Sequence, residues 1–154
     1  MTTPLERLGE LGLTLPKVAA PVAAYVPAVR SGPLVFTAGQ VPFVNGVLAA
    51  TGKVGAEVSV EDAAELAKVC ALNALAAVAS VTGDDLSAVR RVVKVVGFVA
   101  SAPDFTGQPS VINGASDLLV AVFGDAGQHA RSAVGVASLP LDAPVEVELV
   151  VEVG

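Results

Sequence analysis

The C-terminal stretch of the chain alternates apolar and polar residues. In VEVELVVEV, from Val145 to Val153, Glu146, Glu148 and Glu152 share one parity. That pattern predicts an antiparallel strand with the valines facing the core and the glutamates facing solvent. A second alternating run lies at Ser132–Leu139, with Arg131 immediately before it. The Val-rich SAVRRVVKVVGFVAS predicts another strand. Nearer the N-terminus, AAYVPAVRSGPLVFTAGQVP holds two short strand candidates joined at the Ser31-Gly32 turn, with Tyr25 in the first. FVNGVL follows, and its Asn45-Gly46 pair suits a tight hairpin turn with positive φ at both positions.

Helical patterns separate these strands. SVEDAAELAKVCALNALAAVASVTG opens on Ser59 as a cap, with Asp62 three residues on and acidic residues in the first turn, and ends at Gly83. SVINGASDLLVAVFG is a second helix, closed by Gly124. A short extra helix is expected over residues 3–12, where Leu5, Leu8 and Leu11 are spaced by three and Pro4 takes a first-turn position. The order β-β-α-β-α-β-β predicts an α+β fold with one mixed β-sheet and two helices packed on one face. No linker, repeat or low-complexity stretch divides residues 1–154, so one domain is expected. Nothing in the chain is then left to cover the other face of the sheet, and a partner subunit is the economical cover.

Composition adds to this picture. Hydrophobic residues make up 53% of the chain but aromatics only 4%, so Ala and Val must build the core. Small residues let elements approach closely and leave mildly apolar surface, which again favours an oligomer. Nine Lys and Arg against fifteen Asp and Glu give a net charge of −6, which argues against nucleic acid as a partner. The nearest basic cluster is Arg90, Arg91 and Lys94 in RRVVK, and a strand would put Arg90 and Arg91 on opposite faces. No apolar run approaches the roughly 18 residues of a membrane span. The N-terminus lacks the pattern of a signal peptide, and the single cysteine, Cys70, permits no internal disulfide. A cytoplasmic protein is expected, with Cys70 as a small core residue.

Candidate chemistry is sparse. His129, the only histidine, and the distant Cys70 offer no metal-ligand spacing, and His129 reads as a surface residue at a helix-to-strand junction. There is no nucleophile elbow, Walker loop or dinucleotide fingerprint, so neither metal nor cofactor is expected. Three polar residues remain. Arg131 offers a planar fork of donors for a small carboxylate, or else a structural partner for a glutamate. Glu146 opens the last strand, and Tyr25 carries a hydroxyl that can reach a ligand.

Taken together, these segments resemble a known family. The tyrosine ahead of FTAGQVP, the asparagine in VINGASDLL and, above all, ARSAVGVASLPLDAPVEVE are similar to the RidA/YjgF family of imine deaminases, over about Tyr25 to Val153. The resemblance implies a chorismate-mutase-like α+β fold and a homotrimer whose sheets form a central barrel, with ligand sites between subunits. By the same resemblance, Arg131 binds the carboxylate of a 2-imino or 2-enamino acid and Glu146 positions the attacking water. Tyr25 lines the pocket, Gly39 lines it through its backbone, and Asn113 faces the cleft. Ala133 stands where active members often carry cysteine; the water contact there is expected from backbone carbonyl. Ala38 stands where serine is common, and residues 105–112 make a longer strand-to-helix connection than usual.

The implied reaction is hydrolysis of small 2-aminoacrylate-type acids to a 2-keto acid and ammonia, without a cofactor. The alternative is a trimeric protein that binds a small carboxylate without catalysis, and ribonuclease activity fits an acidic chain least. Glu146 favours the enzyme, because a site that only binds a carboxylate has no use for a second carboxylate beside it.

Overall fold

The computed structural model describes residues 1–18 and 23–154. In chain order these form α1 (Pro4–Glu10), β1 (Ala28–Ser31), β2 (Leu34–Thr37), β3 (Phe43–Val44), β4 (Val47–Leu48) and α2 (Val60–Ala79). β5 (Val89–Ala100), α3 (Gln108–Phe123), β6 (Ala130–Val136) and β7 (Val145–Val153) follow. The main sheet has the order β1-β2-β7-β5-β6. Its neighbours pair antiparallel except β5 and β6, which run parallel across the α3 connection. The sheet is therefore mixed, as the sequence predicts.

Two of the local signals work as read. Ser59 Oγ accepts the Asp62 N–H at 3.1 Å and starts α2. Asn45 and Gly46 both take positive φ, 52° and 79°, and close the β3–β4 turn. That hairpin forms its own two-stranded sheet instead of joining the main one. Asn73 ties its first strand down from α2, donating to the carbonyls of Val41 and Phe43 at 3.2 and 3.0 Å. The amide of Asn73 is buried, and those two carbonyls satisfy it.

The N-terminal end adds a detail in α1 and a correction at Tyr25. In α1, Thr3 and Glu6 form a reciprocal capping box, but of the three leucines only Leu8 is buried. A helix of seven residues meets the body along one narrow line, so Leu5 and Leu11 stay exposed. Tyr25 does not lie in a strand: β1 begins at Ala28, and Tyr25 precedes it in irregular chain, 54% exposed.

Register fixes the two faces of the sheet. Val145, Val147, Leu149, Val151 and Val153 of β7 are buried beneath the helices with Val92, Val95 and Val99 of β5. Each such side chain contributes on the order of 1.5–3 kcal/mol by leaving water. Small residues bring the layers together. A Cβ on Gly97 of β5 would run into Ile112 of α3, and one on Gly114 of α3 would strike the backbone carbonyl of Ala64 in α2. The opposite face carries Glu146, Glu148 and Val150 of β7, opposite Phe98, Val96 and Lys94 of β5. Phe36 and Val29 extend it and are exposed. This is the uncovered face that the element order predicts.

Candidate functional site

Arg131 lies in β6, at the sheet edge. In the parallel pairing it stands beside Val95, and Ala133 beside Gly97, so both face the helix layer. The Arg131 side chain reaches α3, where Nη1 donates to Asn113 Oδ1 at 2.8 Å and to Ser116 Oγ at 3.3 Å. Asn113 and Ser116 meet the same guanidinium because residues three apart share a helix face. Ser116 Oγ also lies 2.9 Å from His129 Nε2, and His129 Nδ1 lies 2.6 Å from the Gly127 carbonyl oxygen. His129 is thus half-buried within a polar chain, not a plain surface residue. The sequence offered no spacing signal for this link between a helix and the turn that follows it.

Glu146 occupies the other face. It pairs with Phe98, which in turn pairs with Val134 of β6. Its side chain packs on the Cα of Gly39: a Cβ there would fall 2.6 Å from Glu146 Oε1 and 2.7 Å from Cδ. Gly39 is held in place because its neighbour Gln40 exchanges both backbone hydrogen bonds with Val147, at 2.8 and 3.0 Å. Partial burial pushes the Glu146 carboxyl above its ordinary value, and the charge of Glu148 adds to the effect. Glu146 is half-buried and not simply solvated, as alternation alone would have it.

The predicted residues therefore fall into two groups. Arg131, Asn113 and Ala133 belong to the helix-facing side, and Glu146 and Gly39 to the open side. One protomer does not bring the groups together, because the sheet stands between them. Tyr25 approaches neither group through any hydrogen bond found among the described residues. A cleft of about 490 Å³ beside the β3–β4 turn, lined by Lys17, Phe43, Asn45 and Asn73 among others, includes none of these residues. Among the described residues, no three His, Cys, Asp or Glu side chains are placed to hold a metal ion, and no helix is long and apolar enough to cross a membrane.

A mixed sheet backed by two long helices, with an arginine at the start of its parallel edge strand, defines a chorismate-mutase-like α+β protein. Residues 5–153 match the family described as "YjgF/chorismate_mutase-like, putative endoribonuclease", and the chain belongs to that family. It is 47% identical over 148 residues to Protein TCP17 of Trypanosoma cruzi, covering 94% of this chain and 91% of that one. The crystal structure of Atu1372 from Agrobacterium tumefaciens superposes with a TM-score of 0.93 at 49% identity, over 98% of this chain and 92% of that one. The YjgF gene product of E. coli is more distant, with a TM-score of 0.64 and 27% identity over 88% and 93% of the two chains.

Proposed function

We propose that the protein is a hydrolytic deaminase of small 2-imino and 2-enamino acids, acting as a homotrimer with its sites between subunits. The observation that carries this reading is the state of Arg131. Its guanidinium is held by two neutral oxygens, those of Asn113 and Ser116, so its charge is not spent on a glutamate. A half-buried guanidinium fixed by neutral partners is suited to receive a carboxylate from outside. The division of the site supports assembly: Arg131 and Glu146 act on one ligand only if they come from different copies. The open, partly apolar sheet face supplies a surface for such packing.

The chemistry needs little more than orientation. Arg131 holds the substrate carboxylate, which aims the neighbouring C=N carbon. Glu146, made more basic by burial and by Glu148, accepts a proton from water as the oxygen adds to that carbon. Collapse of the resulting carbinolamine breaks the C–N bond, and the proton returns to nitrogen. One imino acid and one water give one 2-keto acid and one ammonia. An enamine such as 2-aminoacrylate first takes a proton on carbon to become the imine. Nucleic acid suits the surface less, since the net charge of −6 leaves no counterion-releasing path.

The test is ammonia release from 2-aminoacrylate generated in situ by a dehydratase, comparing the native chain with Arg131→Ala. Acceleration over the uncatalysed rate that disappears in the variant is expected. A folded trimer that binds 2-oxobutanoate yet accelerates nothing, across several imino acids, would replace the enzyme with a carboxylate-binding protein.

A further inference from the structure

We propose that Ser116 and His129 are positioning residues for Arg131: they fix which edge of the guanidinium meets the ligand. The inference rests on the carboxylate-binding reading above and deepens it. Its basis is that, with His129 neutral, the hydrogen-bond roles along the chain are forced. A guanidinium only donates, and a backbone carbonyl only accepts. Ser116 Oγ must therefore accept from Arg131 Nη1, and His129 Nδ1 must carry the hydrogen that meets the Gly127 oxygen. The neutral Nδ1–H ring then has a bare Nε2, which accepts the Ser116 hydroxyl hydrogen at 2.9 Å. Every group in the sequence Arg131, Ser116, His129, Gly127 is matched in this one direction.

The far end of the chain is rigid. Gly127 is buried against the last turn of α3, where a Cβ would collide with the Leu119 carbonyl. His129 is thus referenced to the helix that also carries Asn113 and Ser116. Nη1 has two hydrogens, and Asn113 and Ser116 take both. What remains for a ligand is the side-on fork of Nε–H and Nη2–H, which matches the two oxygens of a carboxylate. Without the Ser116 contact the guanidinium can turn about its last bonds, and the plane of the bound acid is no longer set.

His129 is the only histidine, so its ring signals in a long-range ¹H–¹⁵N spectrum are unambiguous. Recorded near pH ~8, where an unperturbed imidazole is neutral, the spectrum is expected to show the Nδ1–H tautomer. Ser116→Ala and His129→Leu are each expected to raise KM for an imino acid about three- to tenfold with kcat nearly unchanged, the weight of one ordinary net hydrogen bond. The double variant should do no worse than either single one, because the two act as a unit. His129→Gln, which keeps an acceptor for the Ser116 hydroxyl, should recover part of the loss.

An Nε2–H tautomer, or single variants with unchanged KM, would overturn the proposal. So would additive losses in the double variant. If the native chain turns over no imino acid, the same comparison is read as the Kd of 2-oxobutanoate, and only the deaminase reading falls. A native chain that binds no small carboxylate overturns both.

Discussion

Around Arg131, one protomer supplies a finished polar cluster: Asn113 and Ser116 from a helix, His129 from the following turn, each bonded to the next. Around Glu146 there is instead a carboxylate half out of water, laid against the bare backbone of Gly39 and unsettled by Glu148. The first region is complete within one chain, whereas the second leaves a carboxylate partly withdrawn from water beside a like charge. A group that binds can be prepared in advance. A group that must take a proton from water is more useful when its surroundings make it basic.

Separating the two regions by mutation gives the largest expected effect. Arg131→Ala and Glu146→Ala should each lower turnover on the order of 10²-fold or more, since each removes a charged hydrogen-bonding group from the site. Refolding the two inactive chains together should restore activity. In a randomly mixed trimer about one site in four receives Arg131 from one subunit and Glu146 from another, so recovery to roughly a quarter of the native rate is expected. No recovery in a mixture shown to exchange subunits would put both residues in one protomer's site and break the comparison.

A smaller loss, about tenfold, is expected for Gly39→Ala. The backbone of Gly39 does not need positive φ, and the added methyl meets the end of a flexible glutamate. The protein should stay folded, with the melting temperature moving by no more than about 4 °C, the shift of one kcal/mol in a chain of this size, while kcat falls. Equal kcat in the alanine variant would show that Glu146 is free to move without consequence.

Next comes a stability effect whose sign follows from Glu146. Its carboxyl titrates above the ordinary 4.5, because of burial first and Glu148 second. In the window between 4.5 and the raised value the folded chain binds more protons than the unfolded one. Stability therefore falls as pH rises through that window and stays lower above it. Glu146→Gln should melt higher than the native chain at pH 7, and the advantage should vanish below about pH 4, where both states are protonated. A variant less stable at pH 7 would mean that an ionised partner holds Glu146. The smallest effect is expected at Ala133, on the arginine's side. Ala133→Cys should change turnover less than about threefold, for the side chain there faces the helix layer and the reading assigns only backbone to the water.

Most of the fold is legible in the sequence. Alternation in VEVELVVEV places β7, and the Ser59 and Asn45-Gly46 signals place α2 and the hairpin turn, because those signals act over a few neighbouring residues. What local pattern cannot give is long-range pairing. Nothing in FVNGVL says that its hairpin stays out of the main sheet, and nothing near Tyr25 says that the strand starts three residues later. Arg90 and Arg91 illustrate the same limit. A break in register between Val89 and Arg91 interrupts the alternation, and both side chains are exposed. At the site, Arg131, Glu146, Gly39 and Asn113 come from the resemblance, and the contacts of Arg131 with Asn113 and of Glu146 with Gly39 give them physical content. Ser116 and His129 carry no local signal of their contact, because they become neighbours only when α3 turns back into β6.

The position of Tyr25 has an optical consequence. It is the only tyrosine, and the chain has no tryptophan, so it dominates the near-ultraviolet emission. Because the residue is already 54% exposed in the folded protomer, melting of that protomer changes its surroundings little. Fluorescence is therefore a poor gauge of the unfolding of a lone protomer. It is instead a label-free readout, placed by the chain itself, of whatever comes to cover the segment leading into β1.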